Sequence, residues 1–313
     1  MLNIDSPEFS RNYGFWNEAE QDAIMRSSVA IAGVGGDGFQ LGLKLARMGV
    51  ASFDIADPET FERENINRVP GATIATCGRN KAEVFRAMAL EINPHVDVRI
   101  YKDGVTEENI EEFTNRADVV FDETELTHLE LGTMVSDAAR NRGIPDVFIM
   151  NVGFAGQITS FHPKGRHSFR TMMGIPKNMP LDEVKDLSLD ISRCLPYLPA
   201  YADSRTLAAV ANDEDAPLPS IAPGVDVASA LGASQGFLHL VQATGNKRPE
   251  PIWAPRFGYM DAYTCEAGTT RVPRLSFYRR LATMMVREKF SLNPQASFTQ
   301  ADRERRQASD QLA

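Results

Sequence analysis

From Ser28 onward, short apolar runs of β-favouring residues alternate with segments whose apolar positions recur at helical spacing. Such alternation predicts a parallel sheet covered by helices. Val29-Ala30-Ile31-Ala32 reads as a buried strand ending in Gly33-Val34-Gly35-Gly36-Asp37-Gly38. Phe39 to Met48 reads as a helix stopped at Gly49, and Ala51 to Ile55 as a second strand. Between Lys81 and Ile92 the apolar residues Ala82, Phe85, Met88, Ala89 and Ile92 keep helical spacing. Asn93-Pro94 ends that helix, because proline cannot continue it. Val96 to Tyr101, Ala117 to Asp122 and Val147 to Met150 supply three more strands, the last following a helix across roughly Leu129 to Asn141. Five strands with interleaved helices predict a doubly wound, mostly parallel α/β sheet of Rossmann type with helices on both faces.

Beyond Gly153 the pattern changes. Gln157 to Phe161 reads as an edge strand, and the C-terminal third is expected to extend the sheet antiparallel. Pro163 to Pro223 is rich in Pro, Asp and Lys with little periodicity, so about 164–223 reads as a crossover insert carrying short helices. Loops of that length in a compact domain are commonly functional. Periodicity returns at Val225 to Ala243 and again around Leu275 to Arg287. The expected organisation is one domain over residues 1–292. A tail from Asn293 to Ala313, with mixed charges and few large apolar groups, is expected to be flexible.

Composition narrows the classes. The chain has 313 residues, 43% of them hydrophobic and 24% charged, which suits a soluble globular domain. A formal net charge of -9 argues against a general phosphate-backbone binder, whose affinity rests on clustered Lys and Arg. Cys77, Cys194 and Cys265 form no C-x-x-C pair, so neither a disulfide framework nor a four-thiolate zinc site is encoded, and a reducing cytoplasm is the simplest home. The start, Met1 to Arg11, is polar and interrupted by Pro7. No apolar stretch approaches the roughly 18 to 20 residues needed to cross a bilayer, so no membrane association is expected.

The glycine run carries the first chemistry. In G-x-G-G-x-G, Gly33, Gly35, Gly36 and Gly38 permit a tight turn and let backbone N–H groups approach a phosphate. The positive end of the following helix faces the same anion. A plain turn competes with this reading, but the strand before and the helix after favour a nucleotide. Asp57 follows Gly38 by 19 residues at the end of the second strand, where its carboxylate can accept from ribose hydroxyls. To this point NAD and ATP fit equally.

The next segments separate them. Asp57-Pro-Glu-Thr-Phe-Glu-Arg-Glu-Asn65-Ile-Asn-Arg68, then Gly78-Arg-Asn-Lys81, then Glu91-Ile-Asn93-Pro94, resemble the D-x-D…N-L-x-R…G-x-x-K…I-N-P signature of the ThiF/MoeB superfamily. Phe9-Ser-Arg11-Asn-Tyr13 resembles that superfamily's R-Y-x-R-Q motif, and Glu18-Ala-Glu-Gln21 its E-x-Q element. The resemblance covers roughly Ser10 to Gly153, with a fainter echo near Gly224 to Gly245. It implies an ATP- and magnesium-dependent adenylyltransferase. Such enzymes activate the C-terminal carboxylate of a ubiquitin-like protein or a peptide, or a small acid, as an acyl-adenylate with release of pyrophosphate. It also implies a homodimer in which Arg11 reaches the opposite subunit's site. The nucleotide would rest on Gly33, Gly35, Gly36, Gly38, Asp57 and Glu59, while Asn65, Arg68 and Lys81 offset phosphate charge as carboxylate and α-phosphate meet. In Asp122-Glu-Thr-Glu125, Glu125 takes the place of the superfamily's magnesium aspartate, and Asp122 is the alternative ligand.

Three departures qualify the match. Ser192-Arg-Cys194-Leu-Pro resembles a zinc-binding C-x-x-C-L-F-P with one cysteine missing, and no second pair follows, so no structural zinc is expected. Ahead of Gly224-Val225, where relatives place a nucleophilic cysteine, the chain reads Pro219-Ser220-Ile221-Ala222-Pro223. A serine there is a poor nucleophile without a base. Cys194 is the remaining thiol candidate if it lies on a mobile crossover loop, but a buried or incidental cysteine is the favoured reading. Asp37, Glu125 and Leu126 favour a non-catalytic scaffold as the leading rival reading. An NAD(P)-dependent oxidoreductase would leave Asn65, Arg68 and Lys81 without purpose, and a tRNA-modifying activator meets the acidic balance as an objection.

Overall fold

The computed structural model describes residues 3–202 and 219–290. The central strand, β1 (Ser28–Ala32), is buried along its whole length, which is why its sequence is an unbroken run of small and branched residues rather than an alternation. β2 (Ser52–Ala56), β3 (Asp97–Tyr101), β4 (Val119–Asp122) and β5 (Asp146–Val152) join it in one parallel group. Among the described residues the sheet has eight strands in the order 3-2-1-4-5-6-7-8. The direction of winding reverses between β1 and β4, so a crevice opens there at the carboxyl ends of the strands.

Helices cover both faces. α2 (Gly36–Met48), α3 (Lys81–Ile92) and α9 (Ala222–Leu240) bury Phe39, Leu41, Leu45, Phe85 and Ala228 against Ile31, Phe53, Phe121 and Ile149. α4 (Ile110–Thr114) and α5 (Leu129–Arg142) bury Phe113, Val135 and Ala139 on the other face, against Ala30, Ala32 and Val120. Neighbouring residues of β1 and β4 thus serve opposite layers, as the two-residue period of a strand requires. α1 (Glu18–Arg26) precedes the sheet. Its start is fixed by a capping box in which Asn17 and Glu20 satisfy each other's backbone N–H groups.

β6 (Ala155–Phe161) runs antiparallel to β5, and β7 (Phe257–Asp261) and β8 (Glu266–Thr270) continue the sheet antiparallel. Gln157 to Phe161 is therefore not at an edge. β6 lies between β5 and β7 with every residue buried. The pairing hairpin is short, and β8 is mostly exposed and polar, so no apolar run announced it. Among the described residues, the segment after β6 holds three short helices, α6 (Phe169–Met173), α7 (Leu181–Val184) and α8 (Ile191–Cys194). Residues 203–218 of the predicted insert, and the tail from 293, lie outside the described residues. α9 starts at Ala222, with Pro223 in its first turn, where proline's missing N–H costs nothing. α10 (Pro273–Lys289) closes the described chain, packing Phe277 and Met284 against Leu195 and Leu198. Among the described residues, no helix is long and apolar enough to cross a membrane.

Candidate nucleotide-binding site

The loop from β1 to α2 is a turn that only glycine can build. Gly33 has φ +100 and donates its N–H to the Ala56 carbonyl at 2.8 Å. A methyl group at Gly33 would lie 2.3 Å from the Glu123 carbonyl oxygen, and one at Gly38 would lie 2.1 Å from the Gly33 oxygen. The start of α2 is in this way pressed onto the exits of β1 and β4. Gly35 caps α2, and a methyl there would meet nothing within 4 Å. The open side of the loop thus presents bare helix N–H groups, the arrangement that receives an anion.

Asp57 locks this loop to the end of β2. One carboxylate oxygen accepts from Val34 N at 2.8 Å and the other from Glu59 N at 2.9 Å. Burial raises the Asp57 pKa, with the Lys81 charge and these two N–H donors pulling the other way. Lys81 is buried at the start of α3 and pairs with the exposed Glu59 carboxylate. Asn80 fuses the two segments: its amide donates to the carbonyls of Asp57 at 3.0 Å and Glu59 at 3.2 Å, while its oxygen caps Glu83 N. Asn65 is buried and accepts from Glu62 N at 3.0 Å, holding the turn from which Arg68 projects. The Arg68 stem passes 3.9 Å from where a Gly36 methyl would sit, and its guanidinium donates to the Glu64 carbonyl and the Asn67 side chain. The structure therefore brings Gly33 to Gly38, Asp57, Glu59, Lys81, Asn65 and Arg68 around the switch point between β1 and β4.

Arg11 is not part of this gathering. It is exposed, two residues after Phe9, whose ring packs at Gly49, the far end of α2. A helix of 13 residues separates that end from the glycine loop by about 20 Å.

The carboxylates after β4 divide between the two faces. Asp122 is 1% exposed, accepts from the Thr124 N–H and hydroxyl, and turns its second oxygen toward Gly132 of α5. It is held away from the glycine loop, and burial pushes its carboxyl up to about 6. Glu123 takes the opposite face. Its side chain lies within 3.1 to 3.4 Å of the methyl positions of Gly38 and Gly33. Glu125 has a side chain 70% exposed, 3.8 Å from His128. Asp37, in the first turn of α2, is 8% exposed and accepts from the Asn151 amide at 2.9 Å. Burial pushes the Asp37 carboxyl up to about 7 against the pull of Asn151, Arg68 and Lys44. Glu123 and Asn151 were not singled out from sequence. The signal for Glu123 was available: adjacent strand residues face opposite sides, so Asp122 and Glu123 cannot both face α5.

Among the described residues, no three His, Cys, Asp or Glu side chains converge into a complete protein metal site, so a metal here would draw ligands from a nucleotide as well. Cys194 is fully buried, and burial pushes its thiol up to about 12, which matches the incidental buried cysteine and not a thiol on a mobile loop.

A family model described as the ThiF family matches residues 9–273. The chain belongs to the ThiF family. Curated ThiF relatives include the adenylyltransferase and sulfurtransferase MOCS3 of Drosophila grimshawi, 31% identical over 52% of this chain and 36% of that protein. The sulfur carrier protein adenylyltransferase of Thermus thermophilus is 31% identical over 47% of this chain and 54% of that one. The tRNA threonylcarbamoyladenosine dehydratase of Bacillus subtilis is 34% identical over 34% of this chain and 42% of its own. The chain thus spans between about a third and a half of these relatives' length. Among solved structures, E. coli MccB with ATP superposes with a TM-score of 0.62 at 15% identity, covering 87% of this chain and 73% of that one. The protein PaaA gives 0.60 at 16%, covering 87% and 76%. At that identity these two structures establish the shared fold.

Proposed function

We propose that this ThiF-family chain is an ATP-dependent adenylyltransferase. It joins a carboxylate, at the C-terminus of a small ubiquitin-like carrier or a peptide, to the α-phosphate of ATP and releases pyrophosphate. One observation carries the reading: motif segments separated by more than forty residues, Gly33 to Gly38 and Lys81, meet at the switch point with Asp57 between them. The bare start of α2 and the cations Arg68 and Lys81 supply positive charge where two negative groups must approach. Asp57 keeps an acceptor lone pair on each oxygen for ribose hydroxyls. Magnesium, which arrives with the nucleotide, draws on the carboxylates that follow β4, with Glu125 the exposed candidate and Asp122 the alternative. Arg11 acts across a homodimer interface.

Titration calorimetry with ATP and magnesium, and separately with NAD(H), tests this. ATP is expected to bind selectively, with Arg68→Ala and Lys81→Ala each weakening it about tenfold or more. Tight NAD(H) binding would sink the proposal. The buried carboxylate in the glycine loop, Asp37, favours a nucleotide-free scaffold as the second reading. The absence of any nucleotide heat would select it.

A further inference from the structure

Arg68 is gripped through one nitrogen. Its Nη1 donates to the Glu64 carbonyl at 3.0 Å and to the Asn67 side-chain oxygen at 2.9 Å. Nε and Nη2 have no hydrogen-bond partner among the described residues. The edge those two nitrogens form is the planar fork that matches a pair of phosphate oxygens, and it is left open. The Arg68 stem and the Val225 side chain both lie against Gly36 at the start of α2, so the arginine is anchored at the glycine loop.

Asn67 is held from a second direction. Its amide donates to the Ser220 carbonyl at 2.9 Å, joining segments 153 residues apart in the chain. The Ser220 hydroxyl in turn bonds the Asn151 side-chain oxygen at 3.1 Å, and the Asn151 amide donates to Asp37 at 2.9 Å. Four hydrogen bonds therefore link Arg68 through Asn67, Ser220 and Asn151 to the first turn of α2. A guanidinium can only donate and an amide oxygen can only accept, so all four run in one direction, from Arg68 to Asp37. Ser220 stands ahead of Gly224-Val225, where a nucleophile would be sought, yet its hydroxyl faces an amide oxygen that cannot take its proton. That position holds geometry in this chain.

We propose that Asn67 and Ser220 are positioning residues for Arg68, fixing its guanidinium before the nucleotide arrives so that the open edge meets the phosphates. The inference rests on the nucleotide reading above. A long side chain loses rotamer freedom when it grips a ligand, and one already ordered in the free protein has less to lose. Asn67 and Ser220 reach the nucleotide only through Arg68, and that dependence separates positioning from simple support of the turn.

Calorimetry with AMPPCP and magnesium tests this through two double-mutant cycles, pairing Asn67→Ala and Ser220→Ala each with Arg68→Ala. Thermal midpoints establish folding; Asn67 is exposed, so its truncation is expected to leave the fold intact. Asn67→Ala is expected to weaken AMPPCP binding about fivefold and Ser220→Ala about twofold, and neither should weaken it further once Arg68 is alanine. The same loss from Asn67→Ala with and without Arg68, or no loss at all, overturns the inference. The same loss from Ser220→Ala in both backgrounds removes Ser220 from the chain of positioning. If AMPPCP does not bind the wild type, the nucleotide reading itself falls, and this inference falls with it.

Discussion

Asp122 and Asp146 sit on the α5 side of the sheet, and neither finds enough donors. Among the described residues one oxygen of Asp122 lacks a partner, and burial and then the Asp122 charge raise Asp146, with only the Ser136 hydroxyl pulling the other way. Both folded-state values lie above the ordinary carboxylate value. The stability tied to these groups is therefore complete below about 3.8, the ordinary value, and is lost as pH rises through the folded values, about 6 for Asp122. Asp146→Asn removes a group that must either stay protonated or ionise in a dry place. The variant is expected to unfold at higher denaturant concentration than the wild type at pH 8, by on the order of 1–3 kcal/mol. The gap should close toward pH 4, where both carboxyls are protonated. A gap that is equal at both pH values would show that the pair is not what limits stability.

At the scale of elements, the loop between β1 and α2 separates packing from binding. A methyl at Gly38 would strike the Gly33 carbonyl at 2.1 Å, and a backbone atom cannot step aside as a flexible side chain does. Gly38→Ala is therefore expected to lower stability by roughly 1–3 kcal/mol along with nucleotide affinity. Gly35→Ala meets no protein atom within 4 Å, so its stability should stay within about 0.5 kcal/mol of wild type. Its nucleotide affinity should fall, because the new methyl occupies the face that a phosphate approaches. Thermal melts and calorimetry on the two variants check the contrast; equal effects on both readouts would mean the loop is structural only. The elements themselves were legible where they were long and periodic: α2, α3, α5 and the five parallel strands fall within a few residues of where apolar spacing placed them. α2 begins at Gly36, three residues before Phe39, because glycine is a poor helix former whose participation here is decided by the packing of Val225 and Glu123 around it. α1 buries only Ile24 among its large apolar residues, and its capping box fixes where it starts.

At the scale of the whole molecule, Arg248 reaches from the segment beyond α9 to the fully buried Glu20 of α1, with contacts of 2.7 and 2.6 Å. The Arg248 guanidinium holds the Glu20 carboxyl below its ordinary range and also donates to the Phe15 carbonyl at 2.9 Å, tying the N-terminal segment to the chain beyond α9. Since Arg11 stands at the opposite end of α2 from the loop of its own chain, its proposed action is across a dimer. A heterodimer purified from co-expressed Arg11→Ala and Lys81→Ala copies would then contain one intact site and show about half of wild-type activity. If Arg11 served its own chain, both sites would be damaged and no activity would return. The amino-acid sequence by itself determined the parallel half of the sheet, the glycine loop, and the family to which Asp57, Asn65, Arg68 and Lys81 belong. These are written in local periodicity and in ordered motifs, and both survive without knowing what lies nearby. Only the tertiary structure decided that β6 is interior, that Cys194 is buried, and that Glu123 is the one of the two carboxylates that lies against the glycine loop. Those outcomes depend on pairing between segments up to about a hundred residues apart, β6 with β7 and the end of β4 with the start of α2, and a strand cannot show from its own residues which neighbours will cover it.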